Sequence, residues 1–151
     1  MVWMMEVWLA DEPATRRLGE AIARCLRPGD SVCLWGELGA GKSTLARALI
    51  RSLTTPQEEV PSPTFTLVQS YDGHAFPIAH FDLYRLKAAE EAFELGIDEA
   101  LDEGVALIEW PERLSGRLPQ NRLDIEIEMD GDGRRARISP RGDFEGRTLG
   151  L

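Results

Sequence analysis

Lysine is almost missing from this chain. Of 17 basic residues among 151, only Lys42 and Lys87 are lysines, and 26 acidic residues leave a formal charge of -9. That deficit argues against a broad surface that follows an RNA backbone, so no tight binding to tRNA by this chain alone is expected. Cysteine is scarce as well. Cys25 and Cys33 are too few for a disulfide scaffold and lack metal-ligand spacing, which leaves buried free thiols. No apolar run approaches the roughly 20 residues of a membrane span, and the opening MVWMMEVWLADE has neither the basic start nor the small-residue cleavage site of an export signal. A cytoplasmic protein that does not enter membranes is expected. There is no internal repeat, no low-complexity tract, and no N-K-x-D stretch of the kind that reads guanine, so a GTPase is disfavoured.

What is present is a chain of 151 residues with 43% hydrophobic content, enough for one cored domain over 1–151 and too short for two of ordinary size. VWMMEVWL reads as a first strand. DEPATRRLGEAIARCLRPG reads as a helix with Leu18, Ile22, Cys25 and Leu26 on one face, capped by Asp11 and ended by Pro28-Gly29. SVCLW is apolar on both faces, as a central strand is, and a helix over Lys42 to Leu53 follows. FTLVQSY and AFPIAHFDLYRL make a hairpin about Asp72-Gly73. AAEEAFELGIDEAL is helical with a break at Gly96, GVALIEW is a buried strand, and PERLSGRLP is a short helical turn. RLDIEIEM and RRARIS flank Asp130-Gly131-Asp132-Gly133, a strong hairpin signal. The pattern predicts an α/β fold like that of P-loop nucleotide hydrolases: a mixed sheet, parallel near its centre and antiparallel at its edges, helices on both faces, a C-terminal hairpin, and an irregular tail over 141–151.

Between SVCLW and the Lys42 helix lies GELGAGKST, and Gly36-x-x-x-x-Gly41-Lys42-Ser43 fits G-x-x-x-x-G-K-[ST] in the strand-turn-helix context that this pattern requires. Glycines let the backbone turn tightly with its N–H groups inward, making an anion cradle that the helix N-terminus reinforces. The expected nucleotide-binding residues are therefore Gly36, Glu37, Leu38, Gly39, Ala40, Gly41, Lys42, Ser43 and Thr44. Lys42 would reach the β- and γ-phosphates and Ser43 would give its hydroxyl to Mg²⁺. The scarcity of lysine sharpens this reading. In a chain that otherwise uses arginine, the loop holds a compact ammonium that fits between phosphate oxygens where a planar guanidinium would not.

A magnesium ion needs a further carboxylate, and two strands end in one: PIAHFD at Asp82 and VALIE at Glu109. Ligands collect at the carboxyl ends of strands in open α/β sheets, where both acids belong. One acid could hold the metal and the other orient the attacking water. The period of two puts His80, Asp82 and Tyr84 on one face; His80 taken alone reads as a structural histidine. Thr64, in VPSPTFT, follows the first phosphate-loop helix, where switch-type hydrolases place a threonine that senses the γ-phosphate and Mg²⁺; its other reading is a threonine that starts a strand.

Taken in order and spacing, GELGAGKST, VPSPTFTLVQSY, HFDLYRL, ELGIDEAL and ALIEWPERL resemble the bacterial TsaE (YjeE) family over about Leu9 to Leu118. That resemblance implies an ATP- and Mg²⁺-dependent ATPase, slow alone, that supports threonylcarbamoyl modification of the adenosine next to the anticodon in tRNAs reading ANN codons. It implies docking on the paired proteins TsaB and TsaD, the second of which performs the transfer. On matching positions it implies Lys42 and Ser43 at phosphate and metal, Thr64 as a switch threonine, Asp82 in the metal site, and Glu109-Trp110 as the acidic-aromatic pair beside it. Lys42, Thr64 and Glu109 are then the catalytic candidates, and Ser43, Asp82 and Glu109 the metal candidates. A small-metabolite P-loop kinase is the alternative, but it calls for an arginine-rich lid where this chain has the acidic KAAEEAFELGIDEALDEG.

Overall fold

The computed structural model describes residues 5–37, 39–63 and 66–147. Among the described residues seven strands build one sheet, and four helices flank it. In chain order they are β1 (Met5–Leu9), α1 (Glu12–Ala23), β2 (Ser31–Trp35), α2 (Lys42–Leu53), β3 (Val68–Asp72), β4 (Pro77–Asp82), α3 (Ala89–Glu94), α4 (Ile97–Glu103), β5 (Val105–Glu109), β6 (Arg122–Asp130) and β7 (Gly133–Arg141). The sheet order is β1-β7-β6-β2-β5-β4-β3. β2 runs parallel to both β5 and β6, and β4 parallel to β5, while the β1–β7, β6–β7 and β3–β4 pairs are antiparallel.

The central strands are buried on both faces because each face carries its own apolar layer. On one side Leu18, Ile22, Leu45 and Leu49 of α1 and α2 meet Val32, Leu34, Leu107 and Ile125. On the other, Ala92 and Ile97 of α3 and α4, with Leu114, meet Cys33, Phe81, Ala106 and Ile108. The predicted mixed sheet with helices on both faces is therefore the observed one. Among the described residues no helix is long and apolar enough to cross a membrane.

Several boundaries differ from expectation, each for a local reason. α1 stops at Ala23; Cys25 and Leu26 follow in tighter turns, their N–H groups donating to Ile22 and Ala23 three residues back. β3 begins at Val68 because Leu67 has a left-handed backbone, φ 68°, which a strand cannot continue through. β4 ends at Asp82, whose Oδ1 accepts from the Tyr84 N–H in an Asx-type turn. Tyr84 accordingly lies beyond the strand and does not share its face with His80 and Asp82.

The segment expected to be an irregular tail also carries structure. Gly142–Gly146 forms a 3-10 turn that buries Phe144 completely. Arg147 follows, stacked on the Phe144 ring at 4.2 Å and gripping Asp30 through Nη1 to Oδ2 at 2.5 Å and Nη2 to Oδ1 at 2.9 Å. Its Nη1 also donates to the Cys25 carbonyl at 3.1 Å.

Candidate functional site

The glycine loop leaves the carboxyl end of β2 and enters α2. Gly36, Gly39 and Gly41 all have positive φ, 133°, 80° and 112°. At Gly36 a side chain is doubly excluded, since a Cβ there would lie 2.4 Å from the Ile127 carbonyl oxygen. Gly41 occupies the N-cap of α2 and supplies no side-chain cap. The first-turn N–H groups of Lys42, Ser43 and Thr44 thus face the loop with the positive end of the helix behind them.

Lys42 is 4% exposed, and its ammonium makes two close contacts among the described residues. It donates to the Gly36 carbonyl at 2.6 Å and lies 3.7 Å from the centre of the Trp110 ring, a cation–π contact strengthened by loss of water. Burial pulls the ammonium below the ordinary lysine range, and the nearby Glu109, Glu112, Asp82 and Glu37 partly hold it up. Trp110 reaches this place through a left-handed backbone, φ 60°, and packs against Tyr84 with ring centres 4.9 Å apart.

Asp82 and Glu109 end neighbouring parallel strands and are paired in register. Both are buried, as is His80, whose Nε2 lies 2.6 Å from Glu109 Oε2. The two acids join Gly39, Gly41, Lys42, Ser43, Thr44, Ser62 and Trp110 around a cavity of about 260 Å³. Most of the predicted residues therefore converge: the second half of the loop, the start of α2 and both acids. Gly36, Glu37 and Ala40 line a different cavity, beside Glu126 and Glu128. Leu38 and Thr64 lie outside the described residues. Sequence reasoning missed Ser62 and the pairing of His80 with Glu109. The period of two put His80 on the face of Asp82, but Glu109 stands on a separate strand and joins them only through the β4–β5 register.

The donor set suits a polyphosphate with a hard cation. The glycine cradle, the uncapped helix end and the buried ammonium match an anion, whereas the Ser43 hydroxyl and two carboxylates are oxygen donors of the type Mg²⁺ takes. Among the described residues no group of three His, Cys, Asp or Glu forms a metal cage.

A family model described as "Threonylcarbamoyl adenosine biosynthesis protein TsaE" matches residues 9–137. Several curated relatives carry the name tRNA threonylcarbamoyladenosine biosynthesis protein TsaE. That of Rickettsia felis is 39% identical over 127 residues, covering 84% of this chain and 74% of the relative. That of Bacillus subtilis is 38% identical over 122 residues, covering 80% and 75%. The crystal structure of Bacillus subtilis YdiB superposes with a TM-score of 0.79 at 30% identity, covering 96% of this chain and 91% of that one.

Proposed function

Because the chain belongs to the TsaE family of threonylcarbamoyl adenosine biosynthesis proteins, we propose that it serves this tRNA modification as a Mg²⁺-dependent ATPase that docks on the TsaB–TsaD pair in a nucleotide-dependent way. The observation that carries the ATPase reading is the convergence of Lys42, Ser43, Asp82 and Glu109 on one cavity at the mouth of the loop. Lys42 exchanges its contact with the Gly36 carbonyl for phosphate oxygens. Ser43 and Asp82 would hold Mg²⁺, which when bound would neutralise phosphate charge as it develops. Glu109 orients the attacking water. Trp110, seated between Lys42 and Tyr84, links the state of the lysine to the exposed Tyr84 ring, and Thr64 is the proposed switch residue.

The charges on β6 and β7 support a role without direct tRNA binding. Arg135, Arg137, Arg122 and Arg141 are each paired with carboxylates, among them Asp130, Glu6, Glu126, Glu128 and Asp124. Cations so engaged do not form a free basic face for an RNA backbone.

The deciding experiment measures binding to the purified TsaB–TsaD pair, and ATP turnover, with ATP, ADP or no nucleotide. ATP is expected to tighten docking relative to ADP, and the pair is expected to raise turnover, because a ligand couples to docking only if it binds the two states differently. Docking indifferent to nucleotide, or tight binding of purified tRNA by this chain alone, would defeat the proposal.

The two acids separate in a second measurement. Asp82→Asn is expected to weaken Mg²⁺-dependent ATP binding by about tenfold, whereas Glu109→Gln is expected to slow hydrolysis by about a hundredfold with binding largely kept. Titration and single-turnover rates on both variants check this. The reverse pattern would exchange the two roles.

A further inference from the structure

One buried polar side chain beside the cavity has no part in the reading above. His80 is 3% exposed; its Nε2 lies 2.6 Å from Glu109 Oε2, and its Nδ1 is buried with no hydrogen-bond partner among the described residues. A carboxylate only accepts, so Nε2 carries the hydrogen. Glu109 is thus the hydrogen-bond partner of the ring among the described residues, held through Nε2.

The backbone explains why this pair forms. His80 is in register with Leu107 of the parallel neighbour β5, and Asp82 with Glu109. All four side chains therefore share one face, and the imidazole reaches one step along the strand to the acid. Both strands are buried around the pair, with Ile78, Phe81, Leu107 and Ile108 each at most 1% exposed. The ring is held while the cavity that Glu109 lines stays open. A carboxylate at the lip of an open cavity has rotamers to choose among; committing Oε2 to a fixed imidazole selects one and leaves Oε1 for the cavity.

We propose that His80 is a positioning residue: it orients the Glu109 carboxylate for the hydrolytic step without touching nucleotide or metal. This role rests on the ATPase reading above. Outer partners of this kind are worth about 10- to 100-fold when removed, and site geometry depends on such supporting hydrogen bonds.

The chain has only two histidines, His74 and His80, and His74 is exposed, so ¹⁵N-histidine labelling reads the pair directly. One slowly exchanging ring N–H is expected, bound to Nε2, that shifts in Glu109→Gln. In turnover assays with the partner pair, His80→Phe is expected to lower kcat by about 10- to 100-fold, with KM and the calorimetric Kd for ATP essentially unchanged. His80→Gln, whose amide nitrogen reaches about as far as Nε2, is expected to recover much of that loss. In a Glu109→Gln background His80→Phe is expected to cost no further rate, because the two act as a unit. If His80→Phe does not fold, the ring resonance and the Gln variant carry the same test.

Losses that multiply in the double variant, or a ring N–H indifferent to Glu109→Gln, would overturn the proposal and leave a core histidine. Wild-type protein that docks on its partners yet hydrolyses no ATP would remove the ATPase reading and this role together. Wild-type hydrolysis with multiplying losses would remove this role alone.

Discussion

Lys42→Met is expected to weaken ATP binding by about 100- to 1,000-fold while leaving the protein folded. The figure corresponds to roughly 3–4 kcal/mol for charge-assisted contacts to phosphate in a site shielded from water. Methionine keeps an unbranched apolar stem against Trp110 and removes the ammonium. The same change is expected to act oppositely on the protein without nucleotide. Burial holds the Lys42 pKa below its unfolded value, so the folded chain binds this proton less readily than the unfolded one. The resulting burden is fully present below the folded pKa and fades as pH rises through the ordinary lysine range. Lys42→Met lacks that burden at every pH. Without ATP it is expected to melt no lower than wild type near neutral pH, with an advantage that shrinks in alkali. Calorimetric titration and melts across pH check the two halves separately. Unchanged affinity would sink the assignment of this lysine to phosphate.

Asp30→Ala has the largest expected effect on stability, about 3–5 kcal/mol, because it strands a guanidinium that is almost wholly inside the protein. The Asp30 side chain is 3% and that of Arg147 9% exposed, so water cannot replace the lost carboxylate. Asp30 Oδ2 also accepts from the Arg27 N–H at 2.7 Å, and that bond goes too. For a chain of this size the loss corresponds to a fall in Tm on the order of 10 °C. Asp30→Ala combined with Arg147→Leu is expected to recover part of it, since the cost lies in an unpaired charge more than in the absence of the pair. Thermal and urea melts of the single and double variants decide the matter. A loss under about 1 kcal/mol from Asp30→Ala would mean that the clasp is solvated and contributes as little as an exposed pair.

Local chemistry made much of this molecule readable. The glycine spacing, the Lys42 helix, the Asp130–Gly133 hairpin and the break at Gly96 are written in adjacent residues and stand in the structure where expected. Asp82 and Glu109 were legible as strand-ending acids, because an apolar run closed by a carboxylate is itself a local pattern. Harder to read was whatever depends on pieces far apart in the chain. The His80–Glu109 contact needs the knowledge that β4 and β5 are neighbours, and in what register. The place of Lys42 over Trp110 needs a left-handed tryptophan, a backbone state that sequence patterns assign to glycine or asparagine. Arg147 looked like tail chemistry because its partner, Asp30, stands at the start of β2.

The first strand of the sheet has a consequence for how the protein is made. Among the described residues β1 is an edge strand whose one strand partner is β7, so residues 5–9 cannot make that pairing until Gly133–Arg141 has left the ribosome. At ordinary rates of synthesis that interval is on the order of ten seconds. Throughout it, Val7, Trp8 and Leu9 belong to an emerging chain whose matching strand has not been synthesised, and contacts so distant in sequence close slowly even afterwards. The nascent chain therefore carries an unpaired, apolar strand while everything between β1 and β7 is made, which is the kind of segment that chaperones near the ribosome engage. β1 is among the last strands to find its place.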